Sequence, residues 1–161
     1  MIEIRHMKKE DAPELYKLDK KCFAIPWSEK SFKEEFENEL AYYFVMTDDD
    51  CIIGYVGIWN IVGEGHITNI AVHPRYRGRG LSKRLMNALF SFSQENNLSC
   101  LTLEVRESNR TARNLYLEYG FKERGRRKRY YSDTNEDAVI MTAELFDSPE
   151  DYYKRVLRKG E

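Results

Sequence analysis

The stretch Asn69-Ile-Ala-Val-His-Pro-Arg-Tyr-Arg-Gly-Arg-Gly-Leu-Ser82 runs from an apolar segment through a proline and two glycines into a helix. Ile70, Ala71 and Val72 read as the end of a strand and Pro74 stops it. Leu81, Leu85, Leu89 and Phe92 then recur at helical spacing. Between the two segments, Gly78 and Gly80 carry no Cβ, so the backbone there can reach positive φ and turn its N–H groups outward. The helix behind them adds the positive end of its dipole. Arg75, Arg77 and Arg79 add guanidinium groups, and this set of donors suits an anion, most naturally a pyrophosphate. Two familiar phosphate loops do not fit. A Walker loop needs Lys and then Ser or Thr directly after the second glycine, where Leu81-Ser82 stands; a dinucleotide fingerprint needs a third glycine where Lys83 stands. The alternative reading of the same residues is a solvated, Arg-rich turn ahead of an ordinary amphipathic helix.

Upstream, residues 42–47 and 51–62 read as strands joined at Asp48-Asp-Asp50, and Gly63-Glu-Gly65 turns into a third strand over residues 66–73. The three make an antiparallel meander, and Gly54 and Gly57 inside it signal a bulge or the close approach of another backbone. At the start, Ile2 and Ile4 alternate with Glu3 and Arg5 as a half-buried strand. Asp11 is placed to cap a helix with Leu15, Leu18 and Cys22 on one face. Ile25-Pro-Trp27 interrupts before Ser28 caps a second helix whose inward stripe is Phe32, Phe36 and Leu40. Trp27 is either a plug under the helix–helix turn or one wall of a substrate groove.

Downstream of the glycine loop, the helix ends near Asn96-Asn97. Leu101, Leu103 and Val105 then share one face of a strand, with Cys100, Thr102 and Glu104 on the other. Strand, crossover helix and strand imply that residues 66–72 and 100–105 pair in parallel. Asn109 caps a further helix carrying Ala112, Leu115, Tyr116 and Tyr119, and Gly120 closes it. Phe121 leads into a strand. A basic, aromatic loop, Arg124-Gly-Arg-Arg-Lys-Arg-Tyr-Tyr131, separates it from a last strand over residues 138–142. Ser148-Pro149 starts a charged terminal helix with Tyr153, Val156 and Leu157 on one face.

A chain of 161 residues is expected to form one domain and to bury about two-thirds of the surface its unfolded form exposes. The three cysteines, Cys22, Cys51 and Cys100, are far apart and set among apolar residues, which reads as reduced core thiols in a cytoplasmic protein. Three histidines without close ligand spacing give a metal site no basis. No apolar run approaches a membrane span or a signal peptide, so no membrane partner is expected. A formal net charge of −1 argues against a whole-protein polyanion binder while leaving local basic patches open.

Arg75-x-x-Gly78-x-Gly80, directly after Ile70-Ala-Val72, resembles the acetyl-CoA pyrophosphate loop of the GNAT acetyltransferases, with Ser82 where many members carry another glycine. Within that family the chain is most similar to the N-terminal acetyltransferases of the RimI ribosomal-protein alanine type and their archaeal relatives. The motifs that carry this are Ile25-Pro-Trp27 with Ser28, Leu103-Glu-Val-Arg106 with Ser108-Asn109, Leu115-Tyr116 with Gly120-Phe121, and Arg129-Tyr-Tyr131 with Glu136-Asp-Ala138 and Ile140-Met141. The resemblance covers residues 1–146 as the acetyltransferase domain and leaves residues 147–161 as a helical tail for packing or dimer contact. It implies an α/β fold with a mixed sheet, an antiparallel meander followed by a parallel strand–helix–strand core. It implies acetyl-CoA held by Ile70, Ala71, Val72, Arg77, Gly78, Arg79, Gly80, Leu81, Ser82, Asn109 and Tyr116, with no metal. Ile25, Pro26, Trp27, Tyr130 and Tyr131 would wall the groove for a peptide or protein N-terminus, that of a ribosomal protein or of nascent chains, in a monomer or weak dimer.

The implied chemistry is acetyl transfer by direct attack. A peptide α-amine has a pKa near ~8 and must lose its proton first, so a carboxylate is useful as base. The resemblance gives that role to Glu104, whose plain alternative is a strand-end carboxylate paired with an arginine. It gives the donor for the developing oxyanion to the Val72 N–H. It gives the proton for the departing thiolate to Tyr116, whose plain alternative is a core tyrosine. A lysine side chain or small amine is an alternative acceptor. A binding module gripping RNA or ribosome through Arg124 to Arg129 and the adjoining tyrosines is the alternative of another class.

Overall fold

The computed structural model describes residues 1–146 together with Glu150, Asp151 and Lys154. Of the expected terminal helix, Glu150, Asp151 and Lys154 are helical, and Ser148, Pro149, Tyr153, Val156 and Leu157 lie outside the described residues. The described strands are β1 (Ile2–His6), β2 (Ala41–Asp48), β3 (Cys51–Ile61), β4 (Glu64–Val72), β5 (Cys100–Arg106), β6 (Lys122–Arg127) and β7 (Ala138–Glu144). The helices are α1 (Ala12–Cys22), α2 (Glu29–Glu37), α3 (Leu81–Glu95) and α4 (Arg110–Glu118). The seven strands form one mixed sheet in the order β1-β2-β3-β4-β5-β7-β6. Contacts divide the chain into a first unit, residues 1–60 and 68–92, and a second, residues 61–67 and 93 onward.

In the first unit β1 pairs antiparallel with β2, and β2 pairs antiparallel with β3 as the first half of the expected meander, with a bulge between Met46 and Thr47. Val45, Tyr55, Leu15, Leu18 and Phe32 meet in a buried cluster. Phe32 sets its ring edge-on to Tyr55 at 5.6 Å, and burying such a side chain contributes about 1.5–3 kcal/mol. The glycines of β3 are close-approach residues. A Cβ on Gly57 would lie 2.4 Å from the Tyr43 ring, and one on Gly54 would lie 2.8 Å from the Ala71 carbonyl.

Three sequence expectations for this unit are corrected. Asp11 stands at the start of α1 without capping it through its side chain. Its carboxylate instead accepts from the Arg5 guanidinium at 2.8 and 2.9 Å and from the Lys8 N–H at 2.7 Å, which holds the Asp11 carboxyl below its ordinary range despite burial. The inward stripe of α2 is Phe32 alone: Phe36 is 46% exposed within the helix, and Leu40, beyond the helix end at Glu37, is 49% exposed. Cys51 is exposed, and Cys22 and Cys100 are only partly buried, so the thiols are free but not core residues. Ser28, by contrast, caps α2 as expected, accepting from the Ser31 N–H at 3.0 Å.

In the second unit the hairpin turn into β4 sits earlier than expected, at Val62 and Gly63, both at positive φ (51° and 80°), the pairing of signs a two-residue I′ turn demands. β4 and β5 pair in parallel only from Glu64↔Cys100 to His66↔Thr102, a shorter ladder than the sequence suggested. β5 and β7 pair antiparallel along their whole length, and β6 joins β7 at the sheet edge. The basic run is thus a strand up to Arg127 rather than a loop. Its alternation shows no apolar face, because an edge strand paired on one side is solvated and charge protects it from foreign pairing.

Candidate active site

The first unit carries the glycine loop. β4 ends at Val72, a 3-10 turn covers Pro74–Tyr76, and α3 begins at Leu81. Gly78 and Gly80 have φ of +80° and +72°, and a Cβ on either would meet nothing within 4 Å. That is an open cradle whose backbone only glycine adopts without strain, and it fits a pyrophosphate approaching amides at a helix start. The loop is pinned from several sides. The His73 N–H donates to Ile53 O at 2.7 Å, His73 Nδ1 accepts from the Arg75 N–H at 3.1 Å, and the Tyr76 hydroxyl donates to Asp48 at 2.7 Å.

The arginines divide their work. Arg77 Nε turns back to donate to the Val72 carbonyl at 3.2 Å, and the Arg79 guanidinium lies 5.0 Å from the centre of the Tyr76 ring. Both therefore shape the loop as well as charge it. Burial, then Lys21, Arg75 and Arg77, hold the His73 imidazole below its ordinary pKa. Gly80→Val is expected to cost most of the acetyl-CoA affinity, because a β-branched residue opposes positive φ and would put a branch where phosphate oxygens must approach. Calorimetry on the folded variant checks this, and unchanged affinity removes the cradle assignment.

The same unit places Ile25, Pro26 and Trp27 between α1 and α2. Ile25 is exposed, whereas the Trp27 ring lies 5.6 Å from Phe32 and 6.4 Å from Tyr43. The Trp27 ring thus packs against the core of the first unit, and its backbone N–H donates to Asp19 Oδ2 at 2.9 Å.

The second unit gathers Glu104, Tyr116, Tyr130 and Tyr131. Glu104 projects from the less buried face of β5, and its Oε1 accepts from Arg127 Nε at 2.7 Å. The arginine pairing is therefore present, although it does not decide the residue's chemistry. The Glu104 carboxylate raises the Tyr130 phenol, and burial pushes the Tyr131 phenol up to about 12. The two rings meet edge to face at 5.1 Å.

Arg106 fixes this corner. Its guanidinium holds Asp133 through both oxygens at 2.9 and 3.0 Å, reaches Glu136 at 3.1 Å and stacks over the Tyr131 ring at 4.0 Å. Asp133 and Glu136 are held below their ordinary carboxyl range, with hydrogen bonds from Arg106 leading for Asp133 and from Ser108 for Glu136. Of the five basic residues of the run, Arg126 pairs with Glu107 and Glu123 and Arg127 with Glu104, so two of the five are matched by acids.

Tyr116 is buried on α4, and its place there has a local cause. Gly120, at φ +85°, lets its N–H reach Leu117 O (3.1 Å) and the Phe121 N–H reach Tyr116 O (3.0 Å), a Schellman end that lays Phe121 5.6 Å from the Tyr116 ring. Burial raises the Tyr116 phenol far above its ordinary value. Asn109 caps α4 as expected, its side-chain oxygen accepting from the Ala112 N–H at 3.2 Å.

Sequence reasoning passed over Arg106 and Asp19 as functional candidates. For Asp19 a signal existed: residues 12, 15, 18 and 19 form the buried stripe of α1, and one of the four is an acid. Among the described residues no His/Cys/Asp/Glu group could hold a metal, and no helix is long and apolar enough to cross a membrane.

Comparison with known proteins gives a consistent picture. The acetyltransferase (GNAT) family model matches residues 12–121. A Bacillus subtilis (strain 168) protein provisionally named ribosomal protein bS18-alanine N-acetyltransferase is 40% identical over 86% of this chain and 92% of its own. The Escherichia coli (strain K12) ribosomal protein bS18-alanine N-acetyltransferase is 34% identical over 88% of this chain and 96% of its own. The crystal structure of the E. coli ribosomal-protein-S18-alanine N-acetyltransferase superposes with a TM-score of 0.86 at 32% identity, covering 94% of this chain and 98% of that one.

Proposed function

This chain belongs to the acetyltransferase (GNAT) family, and we propose that it acetylates the α-amine of a protein N-terminus, with the N-terminal alanine of ribosomal protein bS18 as its first candidate acceptor. The observation that carries the reading is similarity along nearly the whole length of relatives named for that reaction. The open glycine cradle supports acetyl-CoA as the acetyl donor.

Acetyl-CoA supplies a thioester carbonyl. In the proposed mechanism the residues of this chain do the remaining work. Glu104 takes the proton from the ammonium form of the acceptor, directly or through water, after sharing or releasing Arg127. The Val72 N–H donates to the oxygen on which charge develops, and such donors typically contribute about 10²–10³-fold. Tyr116 returns a proton to the sulfur that leaves. Trp27, Tyr130 and Tyr131 position the first residues of the acceptor, and Arg106 keeps Tyr131 in place.

The test is acetyl-CoA turnover against peptides varied at their first two residues, with an α-blocked lysine peptide alongside. Peptides beginning with alanine are expected to turn over and the blocked peptide to remain unmodified. Turnover of the blocked peptide alone moves the acceptor to a lysine side chain.

A further inference from the structure

Asp19 is fully buried on α1, and its side chain has no cation against it among the described residues. A carboxylate in that position costs several kcal/mol unless hydrogen bonds satisfy it, and an apolar residue would suit the stripe better. The acid does have two donors. Oδ1 accepts from the Tyr55 hydroxyl at 2.6 Å and Oδ2 from the Trp27 N–H at 2.9 Å. The Tyr55 oxygen in turn accepts from Asn69 Nδ2 at 3.1 Å, and Asn69 Oδ1 accepts from the Ile70 N–H at 3.1 Å. A continuous chain of bonds therefore runs from Trp27 through α1, β3 and β4 to Ile70, all within the first unit.

Both ends of this chain are residues assigned to the site. We propose that Asp19 is a positioning residue for acetyl transfer: one carboxylate fixes the acceptor-side segment Ile25-Pro-Trp27 by the Trp27 N–H and, through Tyr55 and Asn69, the Ile70 amide on the acetyl-CoA side. The inference rests on the acceptor and donor assignments proposed above. It explains why an acid stands in an apolar stripe. Only a carboxylate offers an acceptor to each of two donors, whereas an amide must face one of them with an N–H. Misplacement by about 1 Å in such supporting structure can cost about 10²-fold in rate.

The experiment compares Asp19→Asn with Tyr55→Phe. In the unliganded protein, Asp19→Asn is expected to move the backbone amide resonances of both Trp27 and Ile70, while Tyr55→Phe moves Ile70 and leaves the Trp27 N–H on its carboxylate. In turnover, Asp19→Asn is expected to raise KM for peptide and for acetyl-CoA by about tenfold or more each, the scale of one lost charge-assisted bond. Tyr55→Phe is expected to raise the acetyl-CoA KM alone. An unmoved Ile70 amide in Asp19→Asn, or unchanged KM values in both variants alongside a lowered Tm, overturns the proposal and leaves Asp19 a structural residue. If Asp19→Asn does not fold, Tyr55→Phe decides by the same split. If the wild type acetylates no peptide N-terminus, the proposed function fails, and the amide shifts still judge the coupling.

Discussion

Glu104→Gln is expected to lower peptide turnover by about 10²–10⁴-fold near pH 7, the range that removal of a general base forfeits. The substitution keeps the size of the side chain and its capacity to hydrogen-bond, so the loss reports the missing base. It also ends the ion pair with Arg127, but that arginine is 58% exposed, and exposed pairs contribute about 0.2–1 kcal/mol. Tm should therefore hold, which separates chemistry from folding. The pH dependence gives the sharper test. Below the amine pKa near ~8 the acceptor is mostly ammonium and needs the base; above it, solution supplies free amine. The penalty should thus shrink steadily as pH rises past that value. Near-normal turnover by the variant at about pH 7 with a good peptide assigns the proton to water or to another carboxylate. Arg127→Ala supplies the control: a loss matching that of Glu104→Gln, with no pH trend in either, makes the pair a structural clamp.

What the sequence revealed and what it hid follow from the range of the forces involved. The glycine loop, the Ser28 and Asn109 caps and the Gly120 helix end were legible because each is a local backbone requirement that few residue types meet. The β5 alternation was legible because one face of that strand is buried. From Arg124 onward β6 reads as a loop, because an edge strand rich in arginine carries no apolar period. The hold of Arg106 on Asp133 and Glu136 joins residues 27 and 30 positions apart, and no local pattern announces such a pair. Asp11 misled in a different way. An acid just before a helix usually caps it, but here Arg5 offers a bidentate partner from β1, and charge-assisted bonds outbid the helix amide. Leu40 is exposed for a simpler reason, since α2 stops at Glu37 before reaching it, whereas Phe36 lies within the helix and is exposed there. For the candidate site, residue types were readable, whereas the interactions that hold them depend on tertiary pairing.

Tyr116→Phe is expected to reduce kcat across the whole pH range while acetyl-CoA affinity largely survives. Burial holds the phenol well above its ordinary pKa, so its proton stays in place throughout any practical assay and the loss has no pH trend to follow. That flat profile contrasts with the sloping one of Glu104→Gln and distinguishes acid from base. Folding should be nearly indifferent to the change. The ring keeps its contact with Phe121, the Schellman bonds run from Gly120 to the Leu117 carbonyl and from Phe121 to the Tyr116 carbonyl without the Tyr116 side chain, and no described residue hydrogen-bonds the hydroxyl. A tyrosine held by packing and by its backbone, with its hydroxyl left for a ligand, suits a donor to the departing sulfur. The measurement is kcat per folded molecule over about pH 6–9, with Tm and acetyl-CoA affinity taken on the same samples. Full activity per folded molecule with lowered stability would make Tyr116 a packing residue at the end of α4, and the leaving thiolate would then take its proton from solvent.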